Sequence, residues 1–462
     1  MTYDEAIACL GTLTNYERAH EPEAMRAVPL SRMRWVCEQL GSPQRTFRSV
    51  LVAGTNAKGS ICAMIYAMLR CAGLRVGLYT SPHLADVRER IRVSGDPSTP
   101  PPAGGVAQEG EDWISPEELA MLIERLQPVI EASKTHAEGP VTYFEVITAA
   151  ALLHFAKRRV RIGVLEVGLG GRLDATNVVE QDVSVFGPIG FDHMDVLGQE
   201  LEAIAKEKAG IVSKEDAPRG RSARAVVISA RQSPEVARVL EEAVASKSPL
   251  FSYGRELTST VLGHEPDGMR VTVQGLQGTY EGLRLPLIGR HQAENAALAV
   301  ASVEALAGGG APHDVVRRGL AQVRWPGRCE VIRGEPLVVL DGAHNPQAAF
   351  ALRSTLDDLW PERPVALLVG TSCDKPAHAI GEHLGARAAS IVCTKSPHPR
   401  AADPAELARQ LAAYHQRIEI VEDPVDAYTY LVNRAGPEGM VVITGSLFLV
   451  GALREVIARC PL

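Results

Sequence analysis

Three segments of this sequence place lysine, carboxylate or histidine where a β-strand pattern ends. The first, residues 54–60 (GTNAKGS), lies between a β-branched run and a helical stretch. Backbone N–H groups in such a loop, and at the start of the following helix, bind phosphate. Lys58 would then contact the terminal phosphates of a nucleotide, and Ser60 would approach Mg²⁺. A glycine separates this lysine from the serine, unlike in the standard P-loop, and an ordinary strand-to-helix turn remains the alternative.

The second segment, residues 165–177 (LEVGLGGRLDATN), ends a buried strand pattern on a carboxylate and continues as a glycine-rich loop. A charged Glu166 at that depth is costly unless it is paired or binds a metal. A plain salt bridge is the alternative. The GLGG string lacks the third glycine of a dinucleotide-binding fingerprint, so it is weak support for that function.

The third segment, residues 190–195 (GFDHMD), places His193 among carboxylates directly after another strand pattern. An imidazole there suits metal ligation or acid–base chemistry, although a lone histidine is more often structural. Lys208, in the string EKAGI, follows a helical pattern and by itself is typical of a solvated surface lysine.

Alternating strand and helix patterns over residues 48–82, 140–168 and 182–190 predict an α/β fold with a doubly wound parallel sheet of the P-loop type. After WPGR (325–328) a new alternation begins. We therefore expect domains at 1–324 and 329–462, joined by a linker at 325–328, with the active site in the cleft between them. The Pro- and Gly-rich residues 95–112 are expected to form an exposed loop or local disorder.

The bulk composition is that of an ordinary globular protein. Its 462 residues are 46% apolar and 22% charged, with a net charge of −7 and no long run of one sign, which argues against nucleic-acid or membrane partners. The eight cysteines are scattered and indicate a reducing compartment. The N-terminus is not typical of a signal peptide, and no run reaches the ~18 apolar residues of a membrane span. We expect a cytoplasmic monomer.

Twelve short strings occur in a fixed order along nearly the whole chain: GTNAKGS, TSPHL, ERIRVSG, TYFE, LEVGLGGRLDATN, DHMDVLG, EKAGI, GRHQAENAALA, WPGR, DGAHNP, DKP and TGSLFLVG. This order resembles that of the folylpolyglutamate synthase and dihydrofolate synthase family, within the Mur ligase superfamily. The resemblance implies that the second, Rossmann-like domain is a Mur-ligase C-terminal domain.

The resemblance also implies three sets of site residues. Those for ATP are Gly54, Thr55, Asn56, Ala57, Lys58, Gly59, Ser60, Asn295, Arg328, Asp341 and His344. Those for two Mg²⁺ ions are Ser81, Glu166, His193 and a carbamylated Lys208. Those for the folate or pteroate acid are Thr142, Tyr143, Phe144, Glu145, Leu173, Asp174 and Ala175, where TYFE forms an aromatic platform or, alternatively, only a helix start. The residues with catalytic roles are Lys58, His193, Lys208, Arg328 and His344.

The implied reaction is ATP-dependent addition of L-glutamate to a reduced folate, and also to dihydropteroate, through an acyl phosphate. Two rival functions remain: a ligase that acts on a cell-wall precursor, and an ATP-driven two-domain switch that makes no covalent product. The sequence departs from the family at Ala57, which takes a position usually held by glycine. If that position requires a positive φ, the alanine would strain the loop and weaken ATP binding by about 1 kcal/mol.

Overall fold

The computed structural model describes residues 1–95, 110–212, 225–245 and 248–459. A seven-stranded sheet forms the centre of the first part of the chain. Its strands are β1 (Arg48–Ala53), β2 (Val76–Tyr79), β3 (Ile91–Val93), β4 (Ile162–Glu166), β5 (Gln181–Phe186), β6 (Val226–Ser229) and β7 (Leu250–Ser252). They lie in the order β3-β2-β4-β1-β5-β6-β7, and all neighbours are parallel except β2 and β3.

Helices cover both faces of this sheet, which confirms the doubly wound architecture. Along β1, Leu51 and Ala53 belong to one apolar cluster, and Val50 and Val52 belong to the other. A strand buried on both faces has a continuous apolar sequence. The helices are α1 (Tyr3–Gly11), α2 (Pro22–Arg26), α3 (Leu30–Gln39), α4 (Lys58–Cys71), α5 (Pro116–Ser133), α6 (Tyr143–Lys157), α7 (Met194–Leu197), α8 (Leu201–Ala209), α9 (Pro234–Val244), α10 (Arg290–Ala307) and α11 (His313–Ala321).

Two glycines side by side in the sheet make room for two phenylalanine rings. Gly77 of β2 pairs with Gly163 of β4. A Cβ at Gly77 would lie 2.7 Å from the Phe155 ring, and one at Gly163 would lie 2.7 Å from the Phe47 ring. The two rings meet edge to face at 5.7 Å. This packing holds in place the two strands that lead to Ser81 and Glu166.

A three-stranded antiparallel sheet, which the sequence analysis did not predict, packs on α10. Its strands are β8 (Thr258–Glu265), β9 (Gly268–Gln274) and β10 (Thr279–Leu285). Along β8 exposed residues alternate with partly buried ones, and along β10 exposed residues are interrupted by buried ones, as in a sheet with one solvated face. Pro266 and Asp267 form the first turn, between the paired residues Glu265 and Gly268, and the string Pro266-Asp267-Gly268 is the sequence signal for this hairpin.

A second, smaller α/β unit follows, as predicted. Its strands are β11 (Glu330–Gly334), β12 (Leu337–Leu340), β13 (Val365–Val369), β14 (Ala388–Cys393), β15 (Ile418–Ile420) and β16 (Met440–Thr444), in the order β11-β12-β16-β13-β14-β15. Only β11 is antiparallel to its neighbour. Its helices are α12 (Pro346–Leu359), α13 (Ala377–Leu384), α14 (Pro404–Leu411), α15 (Pro424–Ala435) and α16 (Leu447–Arg459).

Residues 325–328 lie between α11 and β11, and the domain limits at 324 and 329 stay predictions. Most of the loop predicted at 95–112 lies outside the described residues. Within the described ranges, no helix combines the length and the apolar character that a bilayer crossing requires.

Candidate active site

The carboxyl ends of the parallel strands of the first sheet face loops of the second unit across one large cavity. Its volume is about 1030 Å³. Loops after β1, β2, β4 and β5 line one side, and loops after β12, β13 and β16 line the other. Ligands of open α/β sheets bind at this edge, and the cavity is therefore the candidate active site.

The predicted phosphate loop connects β1 to α4, with Lys58 as the first residue of the helix. Ala57 precedes that helix in the left-handed region, at φ 70° and ψ −10°. The loop has little free space, because a Cβ at Gly59 would lie 2.7 Å from the Trp325 ring. Because the loop joins the carboxyl end of β1 to the first turn of α4, it exposes the N–H groups of that turn to an anion.

Two lysine ammonium groups share one backbone oxygen of this loop. The Nζ atoms of Lys58 and Lys208 each donate a hydrogen bond of 3.1 Å to the carbonyl oxygen of Gly54. Lys208 is buried, so it is not the solvated surface lysine that its local sequence indicates. Burial, and then the charge of Lys58, lowers the pKa of Lys208 to about 7.

Glu166 is the last residue of β4 and is 5% exposed. The backbone N–H of Ser81 donates to one of its carboxylate oxygens at 3.2 Å. Burial raises the pKa of Glu166, and the charge of Lys58 acts in the opposite direction. Within the described residues, no lysine or arginine nitrogen lies within salt-bridge distance of this carboxylate, so the plain salt bridge considered from sequence is not present.

His193 lies in the loop after β5, at φ 48°. Burial, and then the charge of Lys375, lowers its pKa to about 3, so the imidazole is neutral at physiological pH. The neighbouring Asp192 accepts a hydrogen bond of 2.6 Å from Lys375 Nζ. Although burial raises the pKa of Asp192, its contacts with His344 and Lys375 hold that pKa well below its usual range. Because His193 is neutral, Lys375 supplies the positive charge here.

The predicted residues of the second unit also border the cavity. Asp341 accepts hydrogen bonds of 2.8 Å from the backbone N–H groups of Cys329 and Ala343. Burial raises the pKa of Asp341, and the nearby charge of Arg328 opposes that effect. His344 Nε2 lies 3.7 Å from Asp192 Oδ2. These contacts bring both units to the same site.

Asn295 is buried on α10 and is linked to the phosphate loop through one side chain. Its Nδ2 donates to Gln292 Oε1 at 3.0 Å, and Gln292 Nε2 donates to Ser60 Oγ at 3.4 Å. The cavity thus contains every residue predicted for ATP. Those lining it are Gly54, Thr55, Asn56, Ala57, Lys58, Gly59, Ser60, Asn295, Arg328, Asp341 and His344.

Six of the seven residues predicted for the folate acid line the same cavity: Thr142, Phe144, Glu145, Leu173, Asp174 and Ala175. Tyr143 is not among the lining residues, because its ring packs under the guanidinium of Arg90, with 5.5 Å between that group and the ring centroid. The TYFE string is a helix start, since the Thr142 and Glu145 side chains form a capping box for α6. The Phe144 ring lies against Gly168 at the cavity wall.

The carboxylates of Glu145 and Asp174 already have donors from the protein. Arg32 pairs with both oxygens of Glu145, at 2.9 and 2.7 Å. Asp174 accepts from the backbone N–H groups of Gly168 and Leu169 at 3.0 and 2.9 Å. These bonds fix the walls of the pocket, and direct contact of either carboxylate with a substrate stays a prediction.

The predicted Mg²⁺ ligands fit a cation that also uses water and phosphate oxygens. In the described parts of the chain, no three His, Cys, Asp or Glu side chains converge closely enough to hold a metal alone. Mg²⁺ keeps several waters and binds through one or two carboxylates plus substrate phosphates. The buried, unpaired carboxylate of Glu166 beside Ser81 fits this description.

Sequence reasoning missed several polar residues that the structure brings to the cavity. Lys375, Arg400 and Gln347 come from the second unit and line the cavity, whereas Asn345 is buried behind it and contacts Asn56 of the phosphate loop. All four are far from the phosphate loop in sequence. Lys375 and Asn345 stand in the strings DKP and DGAHNP, which carried the family resemblance. Those strings were the available signal, but they assigned no role to either residue.

Comparison with known proteins identifies the class to which this fold and site belong. The Mur ligase middle domain matches residues 119–303, and the Mur ligase, glutamate ligase domain matches residues 327–447. The chain is thus a two-domain ligase of the Mur type.

Individual relatives define the family within that class. The chain is 38% identical to the dihydrofolate synthase/folylpolyglutamate synthase of Mycobacterium tuberculosis, over 95% of this chain and 92% of the relative. It is 35% identical to the Bacillus subtilis protein of the same name, over 92% and 94%. The structure of the M. tuberculosis folylpolyglutamate synthase complexed with ADP superimposes with a TM-score of 0.86 and 34% identity, over 100% and 99% of the two chains. This protein belongs to the dihydrofolate synthase/folylpolyglutamate synthase family.

The left-handed conformation of Ala57 gives a testable prediction about stability. An alanine in this region is strained relative to a glycine, and the strain reduces the free energy of unfolding. Ala57→Gly should raise the free energy of unfolding by about 1 kcal/mol, measured by urea denaturation. The matched control is Ala67→Gly within α4, which should lower it by about 1 kcal/mol. A drop in stability at position 57 would contradict the assigned strain.

Proposed function

We propose that this protein is an ATP-dependent ligase that joins L-glutamate through an amide bond to a folate-type acid, releasing ADP and phosphate. The supporting observation is that one cavity, bordered by both units, contains the phosphate loop, the unpaired Glu166 carboxylate and the residues predicted for the acid. The names of the relatives favour a folate substrate over a cell-wall precursor.

A carboxylate resists attack by an amine because it is negatively charged and lacks a good leaving group. In the first step a carboxylate oxygen of the folate forms a bond to the γ-phosphorus, and the bond from that phosphorus to ADP breaks. The neutral amine of glutamate then forms the C–N bond, phosphate leaves with its electron pair, and the amine proton passes to solvent or a base. Lys58 and Arg328 stabilise the charge on the transferring group.

Ser81, Glu166, His193 and a carbamylated Lys208 would hold two Mg²⁺ ions, which neutralise phosphate charge when bound. The neutral imidazole of His193 is in the protonation state that a metal ligand needs. The ion pair between Asp192 and Lys375 holds the His193 loop against the second unit.

The environment of Lys208 favours its carbamylation. The reaction needs a neutral amine, whose lone pair bonds to the carbon of CO₂ and which then loses a proton, leaving a carbamate anion. Because the pKa of Lys208 is lowered to about 7, much of the amine is neutral at physiological pH. Carbamylation thus converts Lys208, one of two neighbouring cations, into an anionic group with oxygen ligands.

Carbamylation predicts a dependence on CO₂ and pH. At fixed CO₂, turnover should fall as the pH drops below about 7, because Lys208 becomes protonated. Buffer depleted of CO₂ should lower turnover several-fold, and bicarbonate should restore it. With ¹³C-bicarbonate, a carbamate signal should appear by NMR in the parent and in Lys206→Met, which removes an exposed lysine on the same helix, but not in Lys208→Met. A signal that persists in Lys208→Met excludes this site.

We further propose that Arg400 binds a carboxylate of the incoming glutamate. It lies on the second-unit side of the cavity and is 14% exposed. Its NH1 is 3.4 Å from Asp374 Oδ1, and its buried Nε has no hydrogen-bond partner among the described residues. A partly buried guanidinium with an unused donor suits a planar carboxylate.

Arg400→Gln should raise the KM for glutamate by at least tenfold, because a charge-assisted hydrogen bond contributes about 1.5–3 kcal/mol. The KM for ATP should change little in the same steady-state assay. Arg409→Gln, which removes an exposed arginine of α14, is the control and should leave both constants unchanged. A change confined to ATP would place Arg400 in the nucleotide site instead.

The ligase assignment is tested by ADP release with dihydropteroate or tetrahydrofolate, each with and without L-glutamate, together with the mass of the product. Glutamate-dependent turnover with a new amide mass is expected, and Lys58→Ala should reduce it by about 100-fold or more. Turnover only with nucleotide-linked peptide precursors would identify a cell-wall ligase. Hydrolysis that depends on a partner protein, without an amide product, would identify a switch.

The same assay shows whether dihydropteroate, tetrahydrofolate or both are substrates. We place the protein in the cytoplasm as a monomer, with the domains divided at 325–328. Within the described residues, the cysteines Cys9, Cys37, Cys62, Cys71, Cys329, Cys373 and Cys393 are free thiols.

A further inference from the structure

Asn345, the residue before α12, has a side chain whose hydrogen-bonding groups are all used. Its Oδ1 accepts from the backbone N–H of Ala348 at 3.0 Å and from Asn56 Nδ2 at 3.3 Å. Its Nδ2 donates to Asn56 Oδ1 at 3.0 Å and to Asp192 Oδ2 at 3.4 Å. The residue is 1% exposed. Two donated and two accepted bonds are what one carboxamide makes when each acceptor and donor position is filled.

The orientation of this amide is fixed by its neighbours. The backbone N–H of Ala348 can only donate, so the oxygen of Asn345 must face it. The carboxylate of Asp192 accepts a hydrogen bond of 2.6 Å from Lys375 Nζ, and its other oxygen lies 3.4 Å from the amide of Asn345, so the NH₂ group faces that side. A flipped amide would lose both bonds, and one orientation is therefore strongly preferred.

These four bonds connect three segments that are distant in sequence. Asn56 belongs to the phosphate loop, Asp192 precedes His193 in the loop after β5, and Ala348 lies in the first turn of α12. Gln347 adds a second bond to the phosphate loop, since its Oε1 accepts from Asn56 Nδ2 at 3.0 Å. Asn345 is thus where the second unit contacts both the predicted phosphate site and the predicted metal loop.

We propose that Asn345 is a positioning residue that holds the phosphate loop and the His193 loop in fixed register with the second unit during phosphoryl transfer. It acts through Asn56 and Asp192, without contacting the reacting atoms. Misplacing reacting groups by about 1 Å can slow a reaction by about 100-fold. The effect on turnover rests on the proposed function, but the effect on loop order does not.

The experiment separates this role from the role of Asn345 as a helix cap. Asn345→Ser keeps an N-cap oxygen for Ala348, since serine caps about as well as asparagine, but it replaces the NH₂ group that donates to both Asn56 and Asp192 with a single, shorter hydroxyl donor. Asn345→Asp also keeps the cap, and its ionised carboxylate cannot donate. The control is Asp423→Ser, which makes the same kind of change at the exposed N-cap of α15.

Both Asn345 variants should lower kcat by roughly 10- to 100-fold, with less than a threefold change in the KM for ATP. Amide hydrogen exchange over residues 190–197 should become faster in both, and Asp423→Ser should match the parent in kcat and exchange. Combining Asn345→Ser with Asn56→Ser should cost no more in kcat than the larger single change, because the two side chains act as one pair.

Three results would overturn the proposal: a kcat within twofold of the parent in both Asn345 variants, unchanged exchange over 190–197, or a double variant whose loss is the product of the single losses. If Asn345→Ser does not fold, the kcat and the amide exchange of Asn345→Asp decide whether the proposal holds. A parent protein without glutamate-dependent turnover would reject the proposed function, and the exchange comparison would still decide the role of Asn345.

Discussion

Two ammonium groups on one carbonyl oxygen impose the main electrostatic constraint on this site. Lys58 and Lys208 both donate to the oxygen of Gly54, and a single peptide dipole does not offset two charges in a buried place. The repulsion between the two lysines falls if one of them loses its charge or if an anion binds beside them. The lowered pKa of Lys208 is the first response, and a site that attracts phosphate is the second. The closeness of the two lysines thus explains both the lowered pKa of Lys208 and the attraction of this site for phosphate.

The fold keeps these charges close together because parallel strands end at one edge. β1, β4 and β5 are neighbours, so the phosphate loop, Glu166 and the His193 loop start within a few strand spacings of ~4.8 Å. The strands are buried on both faces and cannot shift register without disrupting two cores. The paired glycines at 77 and 163 add close ring packing on the flank that carries β2 and β4. Rigid strands therefore limit how far the loop that carries Lys58 can move from Glu166 and from the His193 loop.

The sequence predicted what depends on local pattern and on motif order. Continuous apolar runs identified the parallel strands, and GTNAKGS identified the strand-to-helix loop. The antiparallel sheet at 258–285 was missed although Pro266-Asp267-Gly268 marks its hairpin, because no motif drew attention to it. The pairing of Glu145 with Arg32 was not predictable, since the partners are 113 residues apart. For the same reason Lys375 and Asn345 had no assigned role before their contacts with Asp192 and Asn56 were known.

Contacts between the units explain why such a site needs two domains. An acyl phosphate is hydrolysed if water reaches it before the amine does. Closure of the two units over the cavity therefore protects this intermediate. Asp192 shows how closure is linked to charge: its carboxylate comes from the first unit, and its partner Lys375 comes from the second. Separation of the units would leave a carboxylate and an ammonium group to be solvated apart. Docking of the second unit therefore lowers the local dielectric around the phosphate loop, which strengthens every charge interaction in the cavity.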